Sequence, residues 1–588
     1  MVKKTYLFLI IILISHSILS EGFVNKAEDY NITDYKSKRV NLVDLNGDYY
    51  LDIVLNNKWL LLNDNGKIFE LKKDSNLNFN KKRKTVLSVF GDIDNDGDID
   101  CYSGFTARYE DFDKENNKWV YNSKKDKGFR DRILLNDGTG KFRIIKTNIS
   151  KRYAAPLGAV YLDFDRDGYI DLFQANDYRK YGILYGCYEN ILWKNINGKN
   201  FENINEKVGL ETVREYGTSN SSRPSYGAGA CDWNNDGKID ILSLSYGRQK
   251  NRLWKNNYPE KFTDISEKVY FDGDEIRHGK YPVWVDRGKE KEFRANGNTF
   301  SVAPMDYDND GDIDLFVGEI THAWAGSSSD LSALLINTGK KNGYKFVRIK
   351  ASDINFPRKR RKRIYKKHGI KLWNNGDLYV SWIDYNRDML PDLIIGSSDY
   401  PDKQRLKIYK QLEDHSFKNV TDKLNINWEG VGGISVGDID RDGDEDILVG
   451  RSFMRLNKKY RKKYLNGIDK NVAGLWINET ENDNNWLGIF LRGKGENFSN
   501  KFGIGARVKI YTPDGTIQTR EIYGGNGHCG QQNPPEILVG LKKNKTVEKV
   551  EIFWPNKKNT VQVIKNIKAN KYILIRENEK GFEEIEFE

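Results

Sequence analysis

The chain has 588 residues and a mass of 68.1 kDa, too long for one ordinary compact core unless that core repeats. Hydrophobic residues at 38%, charged residues at 30% and a mean hydropathy of −0.71 exclude a polytopic membrane protein. Thirteen Trp, 33 Tyr and 27 Phe argue against disorder, 52 Gly and 12 Pro carry no collagen period, and four Cys are too few for a disulfide scaffold.

At the N-terminus, Lys3 and Lys4 precede an apolar run from Tyr6 to Ile14, followed by Ser15, Ser17 and Ser20 before Glu21. A charged start, a short apolar stretch and small residues near a cleavage point predict a secretory signal peptide over 1–20. The run is short for a membrane anchor, and no Cys stands where a lipoprotein would be acylated. No later segment is long and apolar enough to span a bilayer. The expected mature chain is therefore secreted or in the cell envelope, extracellular or periplasmic, where calcium is abundant enough for oxygen-ligand sites. Cys101, Cys187, Cys231 and Cys529 have no metal-type spacing, and Cys101 and Cys231 read as small buried strand residues.

Seven acidic segments then share one frame. Loop 1 has Asp44, Asn46, Asp48 and Asp52; loop 2 has Asp92, Asp94, Asp96 and Asp100; loop 3 has Asp163, Asp165, Asp167 and Asp171. Loop 4 has Asp232, Asn234, Asp236 and Asp240, and loop 5 has Asp306, Asp308, Asp310 and Asp314. Loop 6 has Asp384, Asn386, Asp388 and Asp392, and loop 7 has Asp438, Asp440, Asp442 and Asp446. The frame is Asp at position 1, Asp or Asn at 3, and Asp at 5 and 9.

Calcium takes six to eight oxygen ligands, and acids at alternate positions of a tight loop converge on one point. Gly97, Gly168, Gly237, Gly311 and Gly443 stand at position 6, where a sharp turn needs positive φ. An EF-hand would need Glu at position 12 and flanking helices; here β-type runs follow instead, such as Ile53-Val54-Leu55 and Ile447-Leu448-Val449. A single copy would read as an ordinary turn; seven copies in one register read as calcium sites, up to seven ions. Loop 1, with Tyr49 at position 6 and Gly47 displaced to position 4, and loop 6, with Met389 before Pro391, are expected to be weak or empty.

After the loops, Leu-Trp-x-Asn recurs at Leu192–Asn195, Leu253–Asn256, Leu372–Asn375 and Leu475–Asn478, with weaker copies at Leu134–Asn136 and Leu335–Asn337. Turn residues follow several copies, predicting strand, hairpin and strand, with the Trp side chains packing between sheets. The loops start at 44, 92, 163, 232, 306, 384 and 438, leaving room for about four short strands per unit. One four-stranded sheet cannot bury both its faces, whereas radially arranged sheets bury each other. The expected fold is all-β, a seven-bladed β-propeller over 21–480 with a stacked solenoid as the alternative. Residues 481–588 carry their own strand-like runs and predict a small β-sandwich-like domain.

The acidic loops resemble FG-GAP/VCBS repeats, found in integrin α-subunit propellers and in exported bacterial proteins. The C-terminal part resembles an ASPIC/UnbV domain of the cartilage acidic protein family. The residues that carry this second likeness include Asn485-Trp486-Leu487, Gly503 to Val508, Arg520-Glu521, Gly524-Gly525, Gln531, Gly540-Leu541 and Trp554-Pro555. Cys529 departs from the small hydroxyl residue usual in that family. The resemblance implies a calcium-binding extracellular adhesion or matrix architecture and no particular activity.

Formal charge is +11, or +9 without Lys3 and Lys4. With the acids gathered in loops, the remaining surface is basic, notably Arg358–Arg363 with Lys366 and Lys367, and Lys458–Lys463. In an exported protein, such runs suit an anionic polysaccharide or a protein partner rather than nucleic acid. Only six His occur, and no nucleophile or phosphate-loop motif is present. The segment Thr321–Asp330 and the pair His528-Cys529 are isolated, and no catalytic residue is assigned. The leading expectation is a binding or adhesion module. A calcium-dependent polysaccharide lyase or hydrolase, and a structural matrix component, are the competing classes.

Overall fold

The computed structural model describes residues 22–77, 85–116, 118–179, 186–210, 224–247, 249–273, 297–322, 330–349, 374–397, 405–453 and 472–587. Both basic runs, residues 323–329 of the Thr321–Asp330 segment, and the signal region up to residue 21 lie outside the described residues. The fold is all-β, as the strand-like runs predict.

From Val40 onward the described chain forms one antiparallel four-stranded sheet after another. Sheet 1 is Val40–Val43, Asp52–Leu55, Trp59–Asp64 and Ile68–Leu71. Sheet 2 is Leu87–Gly91, Asp100–Gly104, Arg132–Leu135 and Arg143–Ile145. Sheet 3 is Pro156–Leu162, Asp171–Asn176, Ile191–Ile196 and Asn200–Asn203; sheet 4 is Ser225–Cys231, Asp240–Ser245, Arg252–Lys255 and Thr263–Asp264. Sheet 5 is Thr299–Met305, Asp314–His322, Ala333–Asn337 and Phe346–Ile349, and its second strand also pairs with the start of sheet 6. Sheet 6 is Asn374–Ile383, Asp392–Ser397, Leu406–Gln411 and Phe417–Asn419. Sheet 7 combines Val431–Gly437, Asp446–Arg451 and Gly474–Asn478 with the N-terminal strand Phe23–Asn25, where Phe23 pairs with Asn478.

From sheet 2 to sheet 7 first strands pack on first strands of neighbouring sheets, that of sheet 1 packs on that of sheet 7, and sheets 1 and 2 share a core that includes Val54, Leu60, Phe90 and Cys101. The sheets thus follow one another around an axis, the arrangement that the FG-GAP repeats imply, a β-propeller. Second strands are buried throughout, because each sheet has a neighbour on either face, so aliphatic runs replace strict alternation. Trp193, Trp254 and Trp476 are buried in these inter-sheet layers, as expected of core residues. Neighbouring first strands approach so closely that a Cβ on Gly227 would lie 2.2 Å from the Phe300 carbonyl oxygen.

The C-terminal region forms two further sheets. One is Asn485–Arg492, Ile537–Lys542, Tyr572–Arg576 and Glu583–Ile585; the other is Arg507–Tyr511, Ile517–Glu521, Thr546–Phe553 and Val561–Lys568. Leu487, Ile489 and Leu491 share one core with Val508, Val550 and Ile552, so the two sheets pack as a sandwich. Its strands Asn485–Arg492 and Tyr572–Arg576 run parallel.

Between these sheets the segment Gly524–Pro534 enters the propeller axis and bonds to the first strand of every sheet. Asn41 Nδ2 donates to Gly530 O at 2.9 Å, and Phe90 exchanges two bonds with the Gln532 amide. Tyr161 N donates to Gly524 O at 3.0 Å, and Gly527–His528 adds a fifth strand to sheet 4. Asn526 donates to Val302 O at 3.1 Å, Gln531 to Val380 O at 2.5 Å, and Ser435 to Gln532 O at 2.7 Å.

Candidate metal centres

Each of the seven acidic segments is the hairpin between the first and second strands of its sheet. Position 9 opens the second strand and pairs with the residue just before position 1: Val43 with Asp52, Gly91 with Asp100, Leu162 with Asp171, Cys231 with Asp240, Met305 with Asp314, Ile383 with Asp392 and Gly437 with Asp446. These seven position-9 carboxylates are all buried. One oxygen of each accepts the backbone N–H of an amide residue at the end of the third strand, at 2.7–2.8 Å: Asn63, Asn136, Asn195, Asn256, Asn337, Gln411 and Asn478.

That amide side chain does a second thing. It donates to the position-2 carbonyl of the preceding sheet's loop: Asn136 to Leu45, Asn195 to Ile93, Asn256 to Phe164, Asn337 to Trp233, Gln411 to Tyr307 and Asn478 to Tyr385. Asn63 closes the circle by donating to Ile439 in loop 7. Leu-Trp-x-Asn pointed to some of these residues but missed Asn63 and Gln411. The Leu372–Asn375 copy is no member of this set, because Asn374 and Asn375 open the first strand of sheet 6.

Inside each loop, the position-6 N–H donates to the position-1 carboxylate, and the position-7 N–H donates to position 5. Position 6 has positive φ in all seven, including Tyr49 at 68° and Met389 at 68°. Position 4 does too: Gly47, Asn95, Arg166, Asn235, Asn309, Arg387 and Arg441. Gly47 is therefore not displaced, and loops 1 and 6 keep the backbone of the others. The left-handed conformation there costs energy for a side chain. It is offset where the Tyr49 ring packs at a tilt against Phe490, with ring centroids 5.0 Å apart, and where Met389 is buried.

The position-3 side chain supplies the feature that points to an ion. Its Oδ1 is buried without a hydrogen-bond partner in all seven loops: Asn46, Asp94, Asp165, Asn234, Asp308, Asn386 and Asp440. Where position 3 is Asn, the amide nitrogen donates to the position-5 Asp and aims the oxygen the other way. Ligand oxygens of Asp92, Asp94 and Asp96 lie within 4.8 Å of one another, as do those of Asp163, Asp165 and Asp171, of Asp306, Asp308 and Asp314, and of Asp438, Asp440 and Asp446. Burial, then repulsion from Asp48, pushes Asp44 up to about 6; burial pushes Asp92 to about 7, Asp306 to about 6 and Asp438 to about 8, and burial with Asp388 beside it pushes Asp384 to about 7. The position-9 carboxyls are all held well above the ordinary range by burial. A divalent cation would relieve both burial and repulsion, so this all-oxygen donor set fits calcium.

Sequence reading missed the cations beside the loops. The residue before the ring amide is Lys in three sheets: Lys194 pairs with Asp165 and Asp167, Lys255 Nζ is 3.4 Å from Asp236, and Lys410 Nζ is 3.0 Å from Asp388. In the other four sheets it is Leu62, Leu135, Ile336 or Ile477.

The C-terminal sandwich covers the loop face. Tyr572 Oη donates to Asp438 Oδ2 at 2.6 Å, Arg507 donates to the Asp232 carbonyl at 2.6 Å while paired with Glu521, and Arg441 of loop 7 is paired with Glu536 at 2.8 Å. A cavity of about 130 Å³ remains between the two parts, lined in part by Asp384, Asp438, Glu445, Arg520 and Glu536. His528 and Cys529 sit in the axial segment, buried; Cys529 Sγ lies 3.2 Å from His528 Nε2 and 2.7 Å from Arg39 Nη2.

Comparison with known proteins gives two domain matches. Residues 232–317 and 384–449 match the FG-GAP-like repeat, which suggests a β-propeller binding module, and residues 496–581 match the family described as ASPIC and UnbV. No curated protein matches the chain. Among solved structures, the Tc holotoxin pore of Photorhabdus luminescens is similar at 13% identity and a TM-score of 0.30. That match covers 91% of this chain, which spans only 20% of the toxin chain. A rhamnogalacturonan lyase of Bacillus licheniformis is similar at 10% identity and a TM-score of 0.32, over 76% of this chain and 72% of that one.

Proposed function

Taking as premise a chain of FG-GAP-like repeats joined to an ASPIC and UnbV domain, we propose an exported, calcium-stiffened binding module. It is a seven-bladed propeller over 21–480 followed by the domain 481–588, released from a signal peptide over 1–20. Calcium is held at the position 1, 3, 5 and 9 side chains of the acidic loops. The observation that carries the reading is the buried position-3 oxygen without a hydrogen-bond partner, repeated in all seven loops. Such an atom costs about 1–3 kcal/mol unless something binds it, and the same cost at every repeat argues for a ligand rather than for a defect.

Because the C-terminal sandwich caps the loop face, the ions act as internal struts that hold the hairpins on which it rests. Partner recognition then falls to the opposite face and the outer edges. The positive balance of the chain suits an anionic extracellular glycan or an acidic protein surface. No helix of the described residues is long and apolar enough to cross a membrane.

Melting the protein in EDTA and in calcium tests the stiffening. A ligand that binds only the folded state raises the midpoint in proportion to the logarithm of its concentration, so a clear rise with calcium is expected and identical melts overturn the reading. An array of uronate and sulfated glycans and of envelope proteins, probed with and without calcium, tests the partner. Calcium-dependent binding to an anionic member is the expected result; binding to none of them removes the recognition role.

A further inference from the structure

The seven loops fall into classes that differ in charge and in unpartnered oxygens. In loops 2, 5 and 7 positions 1, 3, 5 and 9 are all Asp, and the residue before the ring amide is aliphatic. There, Oδ1 of Asp92, Asp306 and Asp438, side chains that are only 0–2% exposed, has no hydrogen-bond partner. In loops 1, 3, 4 and 6 the equivalent oxygen accepts a backbone N–H from Gly47, Asp167, Asp236 or Asp388. Loops 3, 4 and 6 are also the ones that receive Lys194, Lys255 and Lys410. Loops 4 and 6 also have Asn at position 3, so they carry three carboxylates at these positions instead of four.

We propose that Lys194, Lys255 and Lys410 are tethered counter-cations that weaken calcium binding in loops 3, 4 and 6, leaving loops 2, 5 and 7 as the high-affinity calcium sites. This rests on the reading that the loops hold calcium. The ammonium carried on the third strand reaches the position-5 carboxylate in each of these loops, and Asp165 at position 3 as well in loop 3, and it costs no translational freedom to hold there. Each lysine therefore competes with calcium at its own loop through charge repulsion and through occupied lone pairs. Loop 1, with Asn46 and Leu62 in place of the lysine, is intermediate: three carboxylates and no ammonium from its third strand. The arrangement makes part of the ring independent of ambient calcium. Sheets 3, 4 and 6 stay clamped by their lysines, while loops 2, 5 and 7 respond to the ion.

Counting the calcium bound per full-length chain, by elemental analysis after dialysis at a fixed low calcium concentration, tests this. Three ions are expected in the natural protein. Lys194→Met, Lys255→Met and Lys410→Met, which keep the length of the stem, are each expected to add one ion, and the triple variant three. The reciprocal change, Ile336→Lys in sheet 5, is expected to remove one. It guards against a methionine variant that fails to fold, and circular dichroism checks the fold of each. If the natural protein binds ions but neither the methionine variants nor Ile336→Lys alter the number, the lysine assignment is wrong while the calcium reading stands. If the natural protein binds no ion, both fall together.

Discussion

The side-chain amide of Asn63 donates to the carbonyl of Ile439 at 3.0 Å, joining sheet 1 to sheet 7 across 376 residues of chain. The same nitrogen donates to Leu51 O at 3.1 Å, and the Asn63 Oδ1 accepts from Gly66 N at 2.9 Å. Asn63→Ala strands two carbonyls and one N–H in a dry seam. Each unpaired group costs about 1 kcal/mol or more, so a loss of about 2–4 kcal/mol is expected in urea unfolding. Asn342→Ala, in an exposed turn, should stay within about 0.5 kcal/mol.

Positions 3 and 9 of one loop should behave oppositely. In loop 2 the Asp94 Oδ1 has no partner and is repelled by Asp96, whereas Asp100 accepts the N–H groups of Ile93 and Asn136 at 2.9 and 2.8 Å. Asp94→Asn is expected to stabilise the protein in EDTA by about 0.5–1 kcal/mol and to destabilise it in calcium, because a ligand charge is lost. Asp100→Asn should destabilise under both conditions. Equal signs for Asp94→Asn in the two buffers would deny it a role as a ligand.

The axial segment gives a steric test. Gly530 has φ of 74°, and a Cβ there would lie 2.3 Å from the Ser88 carbonyl oxygen. Gly530→Ala combines a left-handed backbone with a clash against a rigid first strand, a mechanism in the class that costs about 2–4 kcal/mol. Limited proteolysis should then cut the chain between the propeller and the sandwich faster than in the natural protein.

The acidic frame was legible because ligand chemistry imposes a spacing that does not depend on the rest of the fold. The strand after each loop was legible because aliphatic runs such as Ile447-Leu448-Val449 are buried on both faces. The ring of amides was only half visible. Leu61-Leu62-Asn63 has the same weaker form as Leu134-Leu135-Asn136, whereas Gln411 lacks the Asn altogether and reaches Tyr307 with one more methylene; hydrogen-bond function survives where the motif does not. Position 4 offered Asn95, Asn235 and Asn309 as a sign of the left-handed turn, but Arg166, Arg387 and Arg441 hide it. Neither the lysines nor the axial segment could be seen, since Lys194 meets Asp165 across 29 residues and Asn41 meets Gly530 across 489. Those contacts exist only once the sheets have closed on one another.

Asp131 carries a pH dependence away from the acidic loops. Its carboxylate accepts from Tyr102 Oη at 2.8 Å, Phe105 N at 2.7 Å and Gln174 Nε2 at 2.9 Å, yet burial outweighs these bonds and raises it from 3.8 to about 6. The folded state therefore keeps the proton to a higher pH than the unfolded chain does. Stability contributed at this site is fully present below about 4, falls as pH rises toward about 6, and is level above that. A shift of this size amounts to about 2–3 kcal/mol. In Asp131→Asn the group cannot ionise, so its unfolding free energy should lose that decline. Urea midpoints of the natural protein and the variant, measured from pH 4 to pH 7 with calcium present to keep the loop carboxylates ionised, are expected to lie closest at pH 4 and to draw apart as pH rises, the natural protein falling relative to the variant. Parallel profiles would mean that Asp131 is already ionised at the low end, and that its three hydrogen bonds outweigh its burial.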